Sequence, residues 1–310
     1  MKIQFSPTLT GSMAGPGSFT NRLVDYLREN YPVKIVRKRP DIYLGAIVAS
    51  RGIDPKVKRV FRVDGCYYSN ESSRVGMRNR SIYKGMKNQD GIIYQSNFSK
   101  KMCRKILGCR KLEKKTTVIY NGFDQSIVND IKPIEKDCDL MFVSSAKWRT
   151  SKRPNSIIKG FLEADIPDSK LYLLGDSSNH NKYKNVISIP YMKKEELYAY
   201  YKASDAMIHL CFIDSCPNSV IEALSFNLPV ICNNIGGTPE IVRDSGVIVE
   251  CDSYNFNIID KVIDNIPPKM TAEAIRKFAY SDRTIVDRKD LDMSVAAKKY
   301  YEFFTEILNG

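Results

Sequence analysis

Residues 206–224 read AMIHLCFIDSCPNSVIEAL, and this stretch decides the fold. An apolar run of strand length ends at a loop that carries Asp214, and Pro217 follows, a residue suited to the first turn of a helix. A strand followed directly by a helix is typical of parallel sheets, which need helices on both faces. The stretch therefore predicts an α/β fold.

The next stretch, residues 228–242, repeats this order as LPVICNNIGGTPEIV. A second strand runs into a glycine-rich turn that opens a second helix. Ligands of such sheets bind beyond the carboxyl ends of the strands, at helix N-termini, where backbone N–H groups favour phosphate. We therefore expect one anion-binding pocket, lined by unpaired amides of Asn218, Ser219 and Val220 and by the turn at Gly236 and Gly237.

Short apolar runs bounded by turn residues recur along the whole chain. The predicted strands cover residues 2–6, 34–37, 42–48, 58–63, 91–95, 116–120, 140–145, 171–174, 186–189, 206–210, 229–232 and 246–249. Helical patterns lie between several of them, and the clearest follows Gly17, with Ser18 as its predicted N-cap. The alternation predicts two Rossmann-like, doubly wound parallel-sheet domains that face each other across a cleft.

A polar, charged stretch separates the two halves of this pattern. We expect an N-terminal domain over residues 1–125, a linker over 126–138 and a C-terminal domain over 139–292. Residues 293–310 form an amphipathic helix, which either caps the second domain or returns to the first.

The chain of 310 residues carries a formal net charge of +13, with basic residues densest in 37–39 and 100–115. These runs indicate either a solvated face or attraction to an acidic membrane surface or a polyanionic acceptor. No motif of a nucleic-acid-binding fold accompanies them, so we expect no nucleic-acid partner.

The eight cysteines include no CxxC pair, and the chain has two histidines, so neither a zinc site nor a disulfide framework is predicted. Two Asp-x-Asp triplets, at 137–139 and 290–292, do not follow strands, and we expect solvated charges there rather than a metal site. The chain starts with a strand pattern instead of a signal peptide's apolar core. The prediction is a cytoplasmic protein with reduced thiols, with peripheral membrane contact as an open alternative.

Asp214 is followed by seven residues and then by Glu222 and Ala223, so the chain carries an acidic residue and a Glu-Ala pair at a fixed spacing. With the surrounding Pro-Asn-Ser-Val, Leu-Pro-Val and Gly-Gly-Thr-Pro-Glu-Ile-Val runs, this pattern resembles the retaining glycosyltransferases of family 4, which have the GT-B fold. The first acid of that family is usually Glu, so Asp214 departs from the pattern by one methylene.

The resemblance implies roles for several residues. Glu222 would bind the ribose hydroxyls, Asp214 would contact the donor sugar, and the amides of 218–220 would bind the diphosphate. Positive charges after the first strand of the second domain grip the diphosphate in that family. The matching residues here are Lys147 and Lys152, with Arg149 between them.

Three further positions extend the resemblance. Gly175 matches a turn near the nucleotide, and Gly17 lies in the counterpart of the family's first glycine-rich loop. Many relatives place a His near the reaction centre, at a position where this chain has Asp64. Asp64 either orients the acceptor hydroxyl or simply forms an Asp-Gly turn.

These features imply a metal-independent, retaining hexosyltransferase. It would move a sugar from a UDP- or GDP-sugar to a hydroxyl of a glycan, saccharide or lipid-linked acceptor, with Asp214, Lys152 and Asp64 as catalytic residues and no further cofactor. An epimerase or phosphorylase on the same fold, and a catalytically silent nucleotide-sugar-binding protein, remain alternatives.

Overall fold

The structure is a computed structural model that describes residues 1–10, 16–46, 53–176, 183–282 and 284–310. The chain divides into two compact units. The first unit comprises Met1–Asp124, Asn255–Lys261 and Asp290–Gly310, and the second comprises Gln125–Tyr254 and Val262–Lys289. Tertiary packing thus groups the residues differently from the continuous limits 1–125 and 139–292.

The first unit contains a six-stranded sheet in which every pair of neighbouring strands is parallel. Its strands, in the order of the chain, are β1 (Lys2–Phe5), β2 (Lys34–Ile35), β3 (Ile42–Ala46), β4 (Lys58–Val63), β5 (Gly91–Tyr94) and β6 (Lys115–Val118). The spatial order is β2-β1-β3-β4-β5-β6. All six coincide with predicted strands.

The second unit contains a second six-stranded sheet, also parallel throughout. Its strands are β7 (Leu140–Ser145), β8 (Ser169–Leu174), β9 (Val186–Ile189), β10 (Ala206–His209), β11 (Val230–Asn233) and β12 (Gly246–Val249), in the spatial order β12-β11-β10-β7-β8-β9. Two parallel sheets with flanking helices confirm the predicted α/β architecture.

Helices connect the strands of both sheets. They are α1 (Pro7–Thr10), α2 (Pro16–Asn30), α3 (Val75–Met86), α4 (Asn97–Leu107), α5 (Ile127–Asp130), α6 (Pro154–Ala164), α7 (Lys194–Ala203), α8 (Asn218–Ser225), α9 (Thr238–Val242), α10 (Pro268–Tyr280) and α11 (Met293–Asn309). Short 3₁₀ turns cover Cys109–Leu112, Thr150–Lys152 and Lys289–Leu291. Within the described part of the chain, no helix is both long and apolar enough to cross a membrane.

The start of α2 differs from the prediction. The helix begins at Pro16, so Gly17 lies in its first turn and Ser18 lies inside the helix rather than at its N-cap. Proline is favoured in the first turn of a helix because its missing N–H would have no intrahelical partner there. Gly15, the first residue of the predicted glycine-rich loop, lies outside the described residues.

The C-terminal helix α11 belongs to the first unit. Its buried aromatic face packs there, with the Tyr300 ring 6.1 Å from that of Phe19. Two glycines permit this approach: a Cβ on Gly91 would lie 2.8 Å from Phe303, and a Cβ on Gly122 would lie 2.9 Å from the Met293 Cα. The amphipathic pattern of the helix could not distinguish the two units, because either one offers apolar surface.

The segment Asn255–Lys261 also packs on the first unit. The Ile259 N–H donates to the Tyr68 carbonyl, and the Ile259 carbonyl accepts from the Asn70 N–H, both at 2.8 Å. All eight cysteines lie in described parts of the chain, and none forms a disulfide.

Candidate functional site

Strand β10 lies between β11 and β7 in the second sheet. Because the strands are parallel, the loops that follow all three leave the same edge of the sheet. These loops carry Asp214, the turn at Gly236 and Gly237, and residues 146–152. The structure therefore brings together the segments that the sequence singled out as a pocket in this unit.

The Asp214 loop and the glycine turn are in direct contact. The Gly237 N–H donates to the Asp214 carbonyl at 2.7 Å. Gly236 has a φ of +93°, and a Cβ there would lie 3.0 Å from the same carbonyl oxygen. Only glycine adopts this conformation readily and leaves room for the neighbouring loop. The Gly237 amide is thus occupied by protein.

Lys152 and Asp214 form the central ion pair of the site. Lys152 Nζ lies 2.8 Å from Asp214 Oδ2, and the side chains are 14% and 25% exposed. Burial alone would raise the pKa of Asp214, but the Lys152 ammonium, together with His209 and the Cys216 N–H, holds it below its usual value. A hydrogen bond from the Phe212 N–H to the Ser151 carbonyl, at 2.9 Å, ties the two loops together.

Two residues that the sequence did not assign to the site flank this pair. His209 ends β10 and is 4% exposed, and its Nε2 has no hydrogen-bond partner among the described residues. Burial and the nearby Lys152 lower the pKa of His209 to about 3. Cys211 is buried two residues further on, and burial raises the pKa of its thiol.

The ligating atoms of His209, Cys211 and Asp214 all lie within 4.8 Å of one another. This is the one such group of three or more His, Cys, Asp or Glu side chains that the described residues form. The spacing of these residues is not a recognisable zinc pattern, and only the folded loop after β10 brings Asp214 close to His209 and Cys211.

Helix α8 starts directly after the Asp214 loop, with Asn218 and Ser219 in its first turn. The Val220 N–H donates to the Pro217 carbonyl at 3.2 Å, so the expectation of an unpaired amide at Val220 is wrong. The first turn tightens into an i→i−3 bond, which uses this amide. No side chain of the described residues caps the helix.

Glu222 lies one turn into α8 and is 7% exposed. Its charge lies close enough to add to the effect of burial in raising the pKa of Tyr201. The Tyr201 hydroxyl hydrogen-bonds to the Ser145 hydroxyl at the end of β7. The predicted ribose-binding acid therefore lies near a buried hydroxyl pair formed by α7 and β7.

The loop after β7 holds the other predicted cations. Gly175 has a φ of +79°, and a Cβ there would lie 2.8 Å from the Ala146 carbonyl, so this turn needs glycine. The side chains of Lys147 and Arg149 are exposed, and Arg149 Nε donates to Ser151 Oγ at 2.9 Å. Lys152 is therefore the predicted cation that forms an ion pair with Asp214, whereas the side chains of Lys147 and Arg149 extend into solvent.

A buried ion pair that the sequence did not reveal supports these loops. Arg153 donates to both oxygens of Asp252, at 2.6 and 2.7 Å, and the side chains are 5% and 7% exposed. Asn233 at the end of β11 donates to Asp252 at 2.9 Å. The Arg153 guanidinium stacks on the Phe212 ring at 4.9 Å. The pair links the loops after β7, β10, β11 and β12.

In the first unit, Asp64 follows β4 and accepts a hydrogen bond from Gln95 Nε2 at 2.6 Å. The fully buried Arg62 approaches Asp64 to 3.3 Å. Burial raises the pKa of Asp64, although Arg62 opposes the effect. Asp64 Oδ2 has no partner among the described residues. Asp64 is thus built into a buried polar cluster, which an isolated turn-forming Asp would not require.

Comparisons with known proteins agree with the fold. The structure is similar to a sucrose-phosphate synthase from Thermosynechococcus elongatus, with a TM-score of 0.73, 13% identity and 99% of each chain covered. It is also similar to the Anabaena protein Alr3699/HepE solved with UDP and glucose, with a TM-score of 0.68, 14% identity, and 99% of this chain and 100% of that chain covered. These similarities show the GT-B fold.

At the sequence level the chain is 27% identical over 185 residues to an uncharacterized glycosyltransferase of Methanocaldococcus jannaschii. The match covers 52% of this chain and 45% of that relative, so it spans less than half of the relative's length. Residues 126–280, half of the 310 residues, match the family described as glycosyl transferases group 1, and the chain belongs to this family.

Proposed function

We propose that the protein is a retaining glycosyltransferase of family 4 that moves a sugar from a nucleotide diphosphate sugar to an acceptor hydroxyl in glycan synthesis. The observation that carries this proposal is the Lys152–Asp214 pair, at 2.8 Å, which joins the loop after β7 to the loop directly before α8. An ammonium and a carboxylate beside an uncapped helix start provide contacts for a diphosphate and a sugar hydroxyl, respectively.

The donor would bind to the second unit. Glu222 would accept hydrogen bonds from the ribose hydroxyls, and the amides of Asn218 and Ser219 would donate to the diphosphate. Lys147 and Arg149 are exposed on the loop that also carries Lys152, so their positive charge is available to the same phosphates. The Anabaena protein of the same fold was solved with UDP and glucose, and we propose a UDP- or GDP-sugar as donor here.

The proposed reaction requires a site that stabilises the leaving diphosphate. The bond from the anomeric carbon to the phosphate oxygen breaks, and the bond to the acceptor oxygen forms on the same face. The acceptor proton passes to the departing phosphate. Fixed donors aimed at developing charge supply a large part of such a barrier reduction, with about 2.7–4 kcal/mol lost per donor removed. Because Lys152 already provides one fixed cation, we propose a metal-independent reaction, which should persist in EDTA.

The first unit would bind the acceptor, a glycan, saccharide or lipid-linked hydroxyl. Asp64 is our proposed positioning residue for this hydroxyl, because Oδ1 is held by Gln95 while Oδ2 has no partner among the described residues. Asp64→Asn should raise the KM for acceptor more than the KM for donor. Equal changes in both constants would argue for a structural role of Asp64.

The proposal is tested by thermal-shift measurements against UDP-, GDP-, ADP- and dTDP-sugars, followed by product analysis with and without acceptors. A donor at 100 times its Kd should stabilise the native state by about 2.7 kcal/mol. No shift with any donor would overturn the proposal. Isomerised donor formed without acceptor would indicate an epimerase, and sugar phosphate formed from inorganic phosphate would indicate a phosphorylase.

A second candidate is a protein that binds a nucleotide sugar without turning it over. It is favoured by Asp214, whose carboxylate is engaged by Lys152 and is one methylene shorter than the family's usual Glu. Donor binding without release of nucleotide diphosphate, across a panel of acceptors, would support it. Asp214→Glu should then produce measurable transfer.

A further inference from the structure

Three side chains at the carboxyl end of β10 present a nitrogen, a sulfur and an oxygen to one point. They are His209, Cys211 and Asp214, and their ligating atoms lie within 4.8 Å of one another. We infer that these residues form a binding site for a soft divalent cation such as Zn²⁺, and that this cation replaces the Lys152 ammonium. The site shares Asp214 with the proposed donor contacts, but those contacts need no metal.

The burial of the ligands supports this assignment. His209 is 4% exposed, and its Nε2 has no hydrogen-bond partner among the described residues. Buried polar nitrogens are nearly always paired, so an unpaired one invites a ligand. Cys211 is buried beside it. Its thiol makes a long contact, 3.5 Å, to the Ile213 carbonyl oxygen, and its sulfur also interacts with the Lys152 ammonium.

The donor set fits zinc. Zn²⁺ binds imidazole nitrogen, thiolate sulfur and carboxylate oxygen at about 2.0–2.3 Å, and tetrahedral geometry then separates the ligands by about 3.5 Å. The three atoms therefore have to close by roughly 1 Å. Asp214 and Cys211 lie on the loop after the strand, so the closure involves loop side chains rather than the sheet. The Cys211 thiol releases its proton to solvent as the zinc–sulfur bond forms.

The Lys152 ammonium already supplies a positive charge to this cluster. Its Nζ lies 2.8 Å from Asp214 Oδ2, and its charge acts on both His209 and Cys211. A divalent cation and the ammonium cannot share this position, because like charges repel strongly at such distances. Binding of Zn²⁺ therefore displaces Lys152 from Asp214. If the proposed function holds, Zn²⁺ also inhibits transfer, since Lys152 leaves the diphosphate.

The test uses the reduced, metal-stripped protein and Co²⁺, whose absorption reports thiolate ligation, followed by Zn²⁺ titration calorimetry. We expect a cobalt–thiolate band in the wild type, its loss in Cys211→Ser, and at least tenfold tighter Zn²⁺ binding in Lys152→Met. Cys138→Ser is the matched control, because Cys138 is only half-buried and distant in sequence, and it should keep the band.

Three results would overturn the inference: no band in either the wild type or Lys152→Met, a band that persists in Cys211→Ser, or unchanged Zn²⁺ affinity in Lys152→Met. If Cys211→Ser lowers the melting temperature, His209→Gln serves instead and should weaken Zn²⁺ binding at least tenfold. The readout is independent of transfer. A cobalt band without donor binding would refute the proposed function alone, and donor binding without the band would refute the metal site alone.

Discussion

Lys152→Met tests the proposed site most directly, because methionine keeps much of the apolar stem and removes the ammonium. The ammonium lies 2.8 Å from Asp214 Oδ2, and the Lys152 side chain is 14% exposed, so solvent cannot replace the ammonium fully. Hydrogen bonds to charged groups contribute roughly 1.5–3 kcal/mol, and removal of a preorganised donor to a developing charge lowers kcat by about 10²–10³. We expect a loss of kcat within that range.

The same substitution should change the acid side of the pH profile. In the wild type, Lys152 holds the pKa of Asp214 below its usual value against the effect of burial, so the carboxylate stays charged at neutral pH. Without the ammonium, burial dominates and the pKa of Asp214 rises. Activity of the variant should therefore fall at a higher pH than activity of the wild type as the solution is acidified.

The assay is the initial rate of nucleotide diphosphate release, with the donor that gives the largest thermal shift, between pH 4 and pH 8. Lys159→Met is the matched control, because Lys159 is an exposed lysine of α6 away from the ion pair, and it should retain the wild-type rate. A Lys152→Met rate within threefold of the control, with an unchanged acid limb, would refute the assignment of Lys152.

Substitutions at three further positions test the supporting structure and the proposed ribose contact. Asp252→Ala leaves Arg153 as a buried, unpaired cation. We expect the free energy of unfolding of the second unit to fall by about 3–5 kcal/mol, which lowers its melting temperature in calorimetry by on the order of 10 °C. Burial would raise the pKa of Asp252, but Arg153 and Asn233 hold it below its usual value. The Asp252 carboxylate therefore stabilises the fold above its unfolded pKa of about 3.9, and this stabilisation is lost as the pH falls through the folded pKa. Asp252→Asn should show less of this acid-dependent loss of stability. Gly236→Ala forces a residue with a side chain to a φ of +93° and places its Cβ 3.0 Å from a backbone oxygen, which should lower the free energy of unfolding by about 1–3 kcal/mol. Gly76→Ala is the control, because a Cβ there meets nothing within 4 Å, and it should not destabilise the protein. Glu222→Gln removes the charge that would bind ribose, and donor affinity by calorimetry should fall about tenfold or more; an unchanged Kd would exclude this contact.

The sequence was sufficient for the sheets because every strand carries its own local signal. Most are short apolar runs between turn residues, and parallel strands buried on both faces produce such runs. Helices α1, α3, α4, α5 and α10 were not singled out. Tertiary contacts help to place them: Thr271 of α10, for example, packs so closely on Gly160 of α6 that a Cβ there would have no room. Such contacts leave no trace in the local pattern.

Some residues of the candidate site could likewise be predicted from local sequence, and others could not. The positions of Asp214, Glu222 and the glycine turn follow from local sequence, because each lies directly after a strand or at a helix start. The occupation of the Val220 amide, the Arg153–Asp252 pair and the His209–Cys211–Asp214 group did not follow. The Arg153–Asp252 pair joins loops that are 99 residues apart in the chain. The Val220 bond and the His209–Cys211–Asp214 group are local in sequence, but they depend on how the loop after β10 and the first turn of α8 fold, which the apolar pattern does not specify.

By itself, the sequence determined the α/β class, the twelve strands and the two turns that carry Asp214 and Gly236, because hydrophobic period and turn chemistry act over a few residues. Only the tertiary structure decided that α11 belongs to the first unit and that Lys152 holds Asp214. The reason is that an amphipathic helix or a buried charge accepts any complementary partner, and the partner is selected only when distant segments pack together.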